Sequence, residues 1–415
     1  MKIEKYSFGV GDRFGMEGKA QLRALLRGSE LGVKLVPVWN KSNREHQIIG
    51  TRPSDVRTEA DESVNALEYK GPYYVDADHI NADTVGPFIE CSDFFTLDVA
   101  GYIGKAASKE SKEAAKKYLE SFIGEIKIPG INDAFKVSSS VLDELLDQYL
   151  KAILEAGSLY KKLCIEKGED NFIAEVSMDE VENPQSPLEM FFILALIGRE
   201  GIKVQTIAPK FSGRFNKGVD YVGDLVGFRK EFEEDLLVIN YAVKEFGLPE
   251  NLKLSIHSGS DKFSIYPIIG ELIRKYDLGI HVKTAGTTWL EEVIGLALGD
   301  GKSLQMVKDI YSDAFVRQAE LCGPYADVID IDPARLPDPS VINSWTAGQF
   351  ADSIRHIPTN QDYNLNIRQL LHVAYKLAAE KGDEYIDAIR RNQDIIAREV
   401  EENIFERHIK RLFNQ

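Results

Sequence analysis

Cysteine is scarce in this chain of 415 residues: Cys91, Cys164 and Cys322 are widely spaced and odd in number. They form no disulfide framework and no zinc-ribbon spacing, which points to a reducing, cytoplasmic setting. Basic charge is in deficit, with 50 Lys and Arg against 66 Asp and Glu, a net −16. A balance that acidic excludes DNA, RNA or an anionic membrane as the main partner. Long apolar runs are missing as well. Nothing approaches the roughly 20 residues needed to span a bilayer, and the opening MKIEKYSFGVGDRFG has no apolar stretch of signal-peptide length. There is no low-complexity tract, and Lys19 does not stand in the GK[ST] context of a phosphate-binding loop. A soluble cytoplasmic protein acting on a small molecule is expected.

Apolar content is ample, at 44%, and it is ordered. Eight strand-like runs recur at 5–11, 34–40, 73–78, 94–100, 172–177, 203–209, 252–257 and 279–284. Several are apolar on both faces, as buried parallel strands are. Amphipathic helical segments alternate with them, so the chain reads as βα units around a parallel sheet. Eight such units predict an α/β, TIM-like (β/α)8 barrel. Strands one to four fall within 1–100 and strands five to eight within 172–330. The long gap at 101–171 carries two helical patterns that begin at Ser-rich caps, and is read as a helical insertion at the rim. Residues 331–415 are read as a helical extension, acting as a cap or a dimerisation element that would make a homo-oligomer. The polar stretch from Asn43 to Gly71 is read as a lid loop or an edge element.

Histidine is rare, seven in all, yet three sit at the ends of strand-like runs: His79 in YYVDADHIN, His257 in LKLSIHSGSDKFS and His281 in GIHVKTAGTTW. Barrel strand ends open on one face, where the chemistry of such folds is found. Imidazoles gathered there can bind a divalent metal, and neighbouring carboxylates can move protons. Alternation puts Asp76 and Asp78 on one face. The plainer reading of DADH is a pair of loop-capping polar residues. After His257, the loop holding Ser258, Asp261 and Lys262 could hold a carboxylate, or could simply cap a helix. His281 and Lys283 share a strand face, and a single His there is also read as a satisfied core residue. Glu175, a carboxylate in an apolar strand, must be paired or protonated if buried. A raised pKa would suit it to act as an acid; Asp179, Glu180 and Glu182 after it are read as solvated. Arg13 and Lys210 are candidate anion contacts, and Arg44 and Lys217 add further cations. GVGDRFG is read as a turn that lets a backbone or a substrate approach closely.

These motifs resemble a known family. RFGMEGKAQLRAL, KSNREHQIIGT, YYVDADHIN, AEVSMDE, APKFSGRFNKGVDYVGD, LKLSIHSGSDKFSIYPI and HVKTAGTTWLEEV together look like the tagaturonate/fructuronate epimerases of bacterial hexuronate catabolism, from about residue 8 to about 375. The resemblance implies a metal-dependent sugar-acid epimerase on a barrel, with activity on ketoses such as tagatose and fructose in some members. On the strand-end argument, Asp78 and Glu175 form the acid–base pair and His79, His257 and His281 hold the metal. Arg13, Lys210, Ser258, Asp261, Lys262 and Lys283 are assigned to the substrate. Three imidazoles suit Zn, Ni, Co or Mn rather than Mg. A class II aldolase, a metal-dependent aldose–ketose isomerase and a non-catalytic sugar-binding barrel stand as alternatives.

Overall fold

The computed structural model describes residues 1–414. Ten strands form, in chain order: β1 (Tyr6–Val10), β2 (Val36–Ser42), β3 (Tyr74–Ile80), β4 (Phe94–Asp98), β5 (Gly124–Ile126), β6 (Phe135–Val137), β7 (Ile173–Ser177), β8 (Val204–Ala208), β9 (Lys253–Ile256) and β10 (Ile280–Lys283). Eight of them close a parallel barrel in the order β1-β10-β9-β8-β7-β4-β3-β2. Each of the eight apolar runs supplies one of its strands.

Barrel closure turns alternate residues into the lumen. Val36, Val38, Tyr74, Phe94 and Ile173, with Ile3, form an apolar plug at the N-terminal end. A separate, larger apolar core lies between strands and helices. Above the plug, the lumen turns polar toward the strand C-termini. Local chemistry sets the helix starts. Ser42 and Ser186 make capping boxes with Glu45 and Glu189, each joining two otherwise unpaired backbone groups.

Between β4 and β7, the helices Lys109–Leu119 and Ser139–Lys167 begin after the capping residues Ser108 and Ser138. The short antiparallel hairpin β5–β6 between them was not foreseen, because three-residue strands carry almost no periodic signal. The stretch after Ser42 is not a lid loop or edge element. It folds into two helices, Asn43–Ile49 and Pro53–Ala66, the first beginning at the Ser42–Glu45 box and the second with Pro53 at its first turn.

The segment beyond β10 is helical and wraps back over the start of the chain. Helix Gln393–Glu402 packs on Gly286–Leu298 and on Gly18–Leu26, with Arg23 paired to Glu401. It runs on into a π-helical turn at Asn403–Ile409. Among the described residues, no helix is long and apolar enough to cross a membrane.

Candidate active site

The C-terminal ends of the barrel strands open on a cavity of about 320 Å³. Its floor is built on Lys283, the last residue of β10. Glycine is required opposite it: Gly9 pairs with Lys283 in register, and a Cβ on Gly9 would lie 3.0 Å from the Lys283 Cα. The Lys283 ammonium crosses the lumen and donates to Asp76 Oδ2 (2.7 Å), Asp78 Oδ1 (2.8 Å) and Thr96 Oγ1 (2.7 Å). Glu175 Oε1 lies 3.0 Å away. One cation therefore holds three carboxylates that β3 and β7 aim inward.

The charges in this layer follow from that count. Burial disfavours the Lys283 ammonium, yet Asp76, Asp78 and Glu175 hold its pKa well above the ordinary lysine value. Burial pushes Asp78 up, but Lys283, His79 and His257 outweigh it and bring it down to about 2. Glu175 is likewise held low against its burial, by Lys283 and His257. The expectation of a raised Glu175 is thus reversed, because the strand places it against two cations. Asp76 is the carboxyl pushed up, to about 7, by burial that Lys283 only partly offsets. Asp78 lines the cavity, whereas Asp76 and Glu175 are buried and do not.

Above this layer stand the imidazoles. The β3–β4 register shifts between Ala77 and Ile80, and His79 adopts a left-handed φ of 50°. Such a bulge re-aims a side chain at some cost in backbone strain. Here it sets the His79 ring 5.0 Å from that of His257. His257 Nε2 lies 2.6 Å from Glu175 Oε1, and its Nδ1 lies 3.0 Å from Asp179 Oδ1. Asp179 is not a solvated surface acid as expected: it also accepts from Ser177 Oγ at 2.6 Å. Ligand atoms of His79, Asp179 and His257 all lie within 4.8 Å of one another, as do those of His79, Asp98 and Glu180.

The donor set fits a divalent transition metal, with imidazole nitrogen and carboxylate oxygen converging on one spot. His79 Nδ1 is buried without a hydrogen-bond partner, so a donor atom stands free there. Burial alone would strip the imidazoles of their protons. Instead, Asp78, Asp98 and Asp179 push His79 up to about 10, and Asp179 with Glu175 pushes His257 up to about 9. The field thus favours positive charge at the point where these side chains meet.

Of the residues singled out from sequence, Asp78, His79, His257, Ser258, Lys283 and Arg13 line the cavity. His281 does not join the other imidazoles. It lies one layer deeper, two residues before Lys283 on the same strand, with Nδ1 2.9 Å from Ser7 Oγ and its ring on Phe94. Burial brings it down to about 3, so it is a neutral core residue. Asp261 and Lys262 are also away from the cavity. Asp261 is fully buried, bonded by Arg368 at 3.0 Å, and its backbone N–H donates to His408 Nε2. The Lys262 ammonium donates to the backbone oxygens of Asn216, Val219 and Ser260. Both tie the loop after β9 to neighbouring segments. Lys210 lies outside the cavity lining. Sequence reasoning missed Asp98 and Asp179. The sign available for Asp98 was its place as a carboxylate near the end of the apolar run 94–100, as Asp78 is at the end of 73–78.

The family model for UxaE, tagaturonate epimerase, matches residues 1–412. The chain is 28% identical over 419 aligned residues to the tagaturonate/fructuronate epimerase of Thermotoga maritima, covering 97% of this chain and 80% of that protein. It superposes on the crystal structure of the glycerol-complexed fructuronate-tagaturonate epimerase UxaE from Cohnella laeviribosi with a TM-score of 0.83 at 23% identity, covering 99% and 82% of the two chains. The native form of that enzyme superposes with a TM-score of 0.81, again at 23% identity, covering 99% of this chain and 82% of that one. A barrel whose strand ends carry converging imidazoles and carboxylates, matched by the family model over nearly its whole length, identifies this chain as a member of the tagaturonate epimerase family.

Proposed function

We propose that this enzyme interconverts D-tagaturonate and D-fructuronate by retro-aldol cleavage and re-addition at the cavity over Lys283. The observation that carries the reading is the juxtaposition of Asp78 and Lys283 with the His79, Asp179 and His257 group in one cavity. The two sugar acids differ at a hydroxyl-bearing carbon next to neither the ketone nor the carboxylate. Removing its C–H proton would leave a carbanion with no electron sink. Breaking the neighbouring C–C bond avoids that problem.

Asp78, held ionised, takes the proton of the hydroxyl on the inverting carbon. That carbon becomes an aldehyde as the C–C bond breaks, and the bonding pair passes into the ketone-bearing fragment. The aldehyde turns its other face, the bond re-forms, and the new alkoxide takes a proton from the Lys283 ammonium. Asp78, 2.8 Å from Lys283, returns its proton there and closes the cycle. Glu175 and Asp76 keep the ammonium in place throughout. His79, Asp179 and His257 would hold a divalent ion of the Zn, Ni, Co or Mn kind, which when bound supplies a Lewis acid for the ketone oxygen.

Incubation with tagaturonate in deuterated water tests the chemistry. Fructuronate without carbon-bound deuterium is expected. Solvent deuterium on carbon would overturn the reading in favour of proton transfer between adjacent carbons. Net accumulation of free three-carbon fragments would make the enzyme an aldolase.

A further inference from the structure

We propose that Arg44 and Lys217 form the seat for the substrate's carboxylate, an inference that rests on the functional reading above. Four Lys and Arg side chains line the cavity: Arg13, Arg44, Lys217 and Lys283. Two of them are spent within the protein. Lys283 is held by three carboxylates. Arg13 pairs with Glu45 and stacks 4.7 Å from the centre of the Tyr375 ring. Arg44 and Lys217 have no carboxylate partner among the described residues. Arg44 is exposed and Lys217 half-buried, so both charges stay open to an anion that enters the cavity.

Both cations are placed by the same side chain. The Tyr325 ring centre lies 5.7 Å from the Arg44 guanidinium and 5.9 Å from the Lys217 ammonium. The Tyr325 hydroxyl lies 2.8 Å from that of Tyr375. The backbone N–H of Lys217 donates to Val328 O at 2.8 Å, which fastens the loop after β8 to the turn that carries Tyr325. An aromatic ring holds a cation without neutralising it, so the charge stays available to a ligand. Helix Gly286–Leu298 begins with Gly286 in the wall of the same cavity, adding the positive end of its dipole.

The cavity therefore holds two groups of opposite demand. The imidazole and carboxylate group suits the hydroxyl and ketone oxygens of a sugar. The Arg44 and Lys217 group suits an anion. A hexuronate ketose carries both ends in one molecule; a neutral ketose carries only the first. Selection of the acid over the neutral sugar would then reside in Arg44 and Lys217, with Tyr325 as their positioning residue.

The test uses Arg44→Gln, Lys217→Gln and the double variant of the full chain, supplemented with manganese, with tagaturonate and tagatose as paired substrates. The ratio of kcat/KM for tagaturonate to that for tagatose is expected to fall about 10- to 100-fold in the double variant, mainly through the KM for the acid. A ratio that stays at the wild-type value, or equal losses on both sugars, would overturn the proposal. Calorimetric Kd values for the same two sugars keep the two readings apart. Wild-type protein that binds the acid through these residues without epimerising it would refute the functional reading and leave the carboxylate seat standing. Epimerisation with an unchanged ratio and unchanged Kd values in the double variant would refute the seat alone.

Discussion

Replacing Lys283 with Met is the sharpest probe of the cavity floor. The substitution keeps the stem volume and deletes the one charge that Asp76, Asp78 and Glu175 share. Removing one partner of a buried ion pair typically costs about 3–5 kcal/mol, because the remaining charge is left uncompensated. Three carboxylates depend on this ammonium, but they will not all remain charged without it. Burial, opposed then only by His79 and His257, pushes them upward until one or two take protons. The sign of the pH dependence follows. In the native protein, Asp78 and Glu175 sit below their unfolded values, so they add stability above roughly pH 4 that is lost as pH falls through the folded values. In the variant they sit above their unfolded values, so stability is lost as pH rises instead. The deficit of the variant must therefore grow from pH 5 to pH 8. Unfolding entropy scales with chain length, so a loss of about 4 kcal/mol lowers Tm by only roughly 4–5 °C in a chain of this size. Calorimetry in the presence of a chelator, at pH 5 and pH 8, reads this directly. A variant as stable as the wild type at pH 8, or a deficit that does not change with pH, would refute the reasoning. Adding Asp76→Asn to Lys283→Met should recover part of the loss, since one of the orphaned charges is gone.

Two further outcomes follow from buried charge elsewhere. Glu17, almost fully buried, is pushed up to about 9 by burial and by the neighbouring Asp12 and Glu59. The folded chain keeps that proton while the unfolded chain gives it up near pH 4.5, so stability falls as pH rises between those values; Glu17→Gln should match the wild type at pH 4 and exceed it at pH 7 by up to roughly 3 kcal/mol in denaturant titrations, and a variant less stable at pH 7 would contradict this. Arg368→Met removes the guanidinium that donates to Asp261 at 3.0 and 3.1 Å; a loss of about 3–5 kcal/mol is expected, with faster proteolysis in the loop after β9, and unchanged proteolysis would show that the loop is held by other contacts.

Much of the fold was legible because the barrel repeats one signal eight times. Each strand is a short apolar run, and the helices Ser139–Lys167, Pro187–Glu200, Leu225–Glu245 and Gly301–Val316 each carry a Ser or Asp start. The hairpin Gly124–Ile126 and Phe135–Val137 was not legible, since strands so short have no period to read. The helices after Ser42 were hidden by their polarity: they are amphipathic with few apolar residues, and only the Ser42–Glu45 spacing marked them. At the site, strand-end position found Asp78, His79 and His257, because the C-terminal ends of all eight strands meet. The same rule misplaced His281, which precedes the strand end by two residues and so falls one layer down the lumen. Asp261 and Lys262 misled because a polar loop reads the same whether it faces a ligand or locks onto a distant helix. Arg368, the partner of Asp261, lies 107 residues away from it, a separation no local pattern reveals.

In the proposed mechanism a divalent ion held by His79, Asp179 and His257 is needed for epimerisation. The most direct measurement titrates chelator-stripped protein with manganese or nickel, following bound ion per chain and the rate of fructuronate formation from tagaturonate together. The wild type should be inactive when stripped and regain turnover as one ion binds, while His257→Ala, folded by circular dichroism, should neither bind the ion stoichiometrically nor recover. Stripped protein that turns over at the full rate, or a His257→Ala variant that binds and works like the wild type, would contradict it.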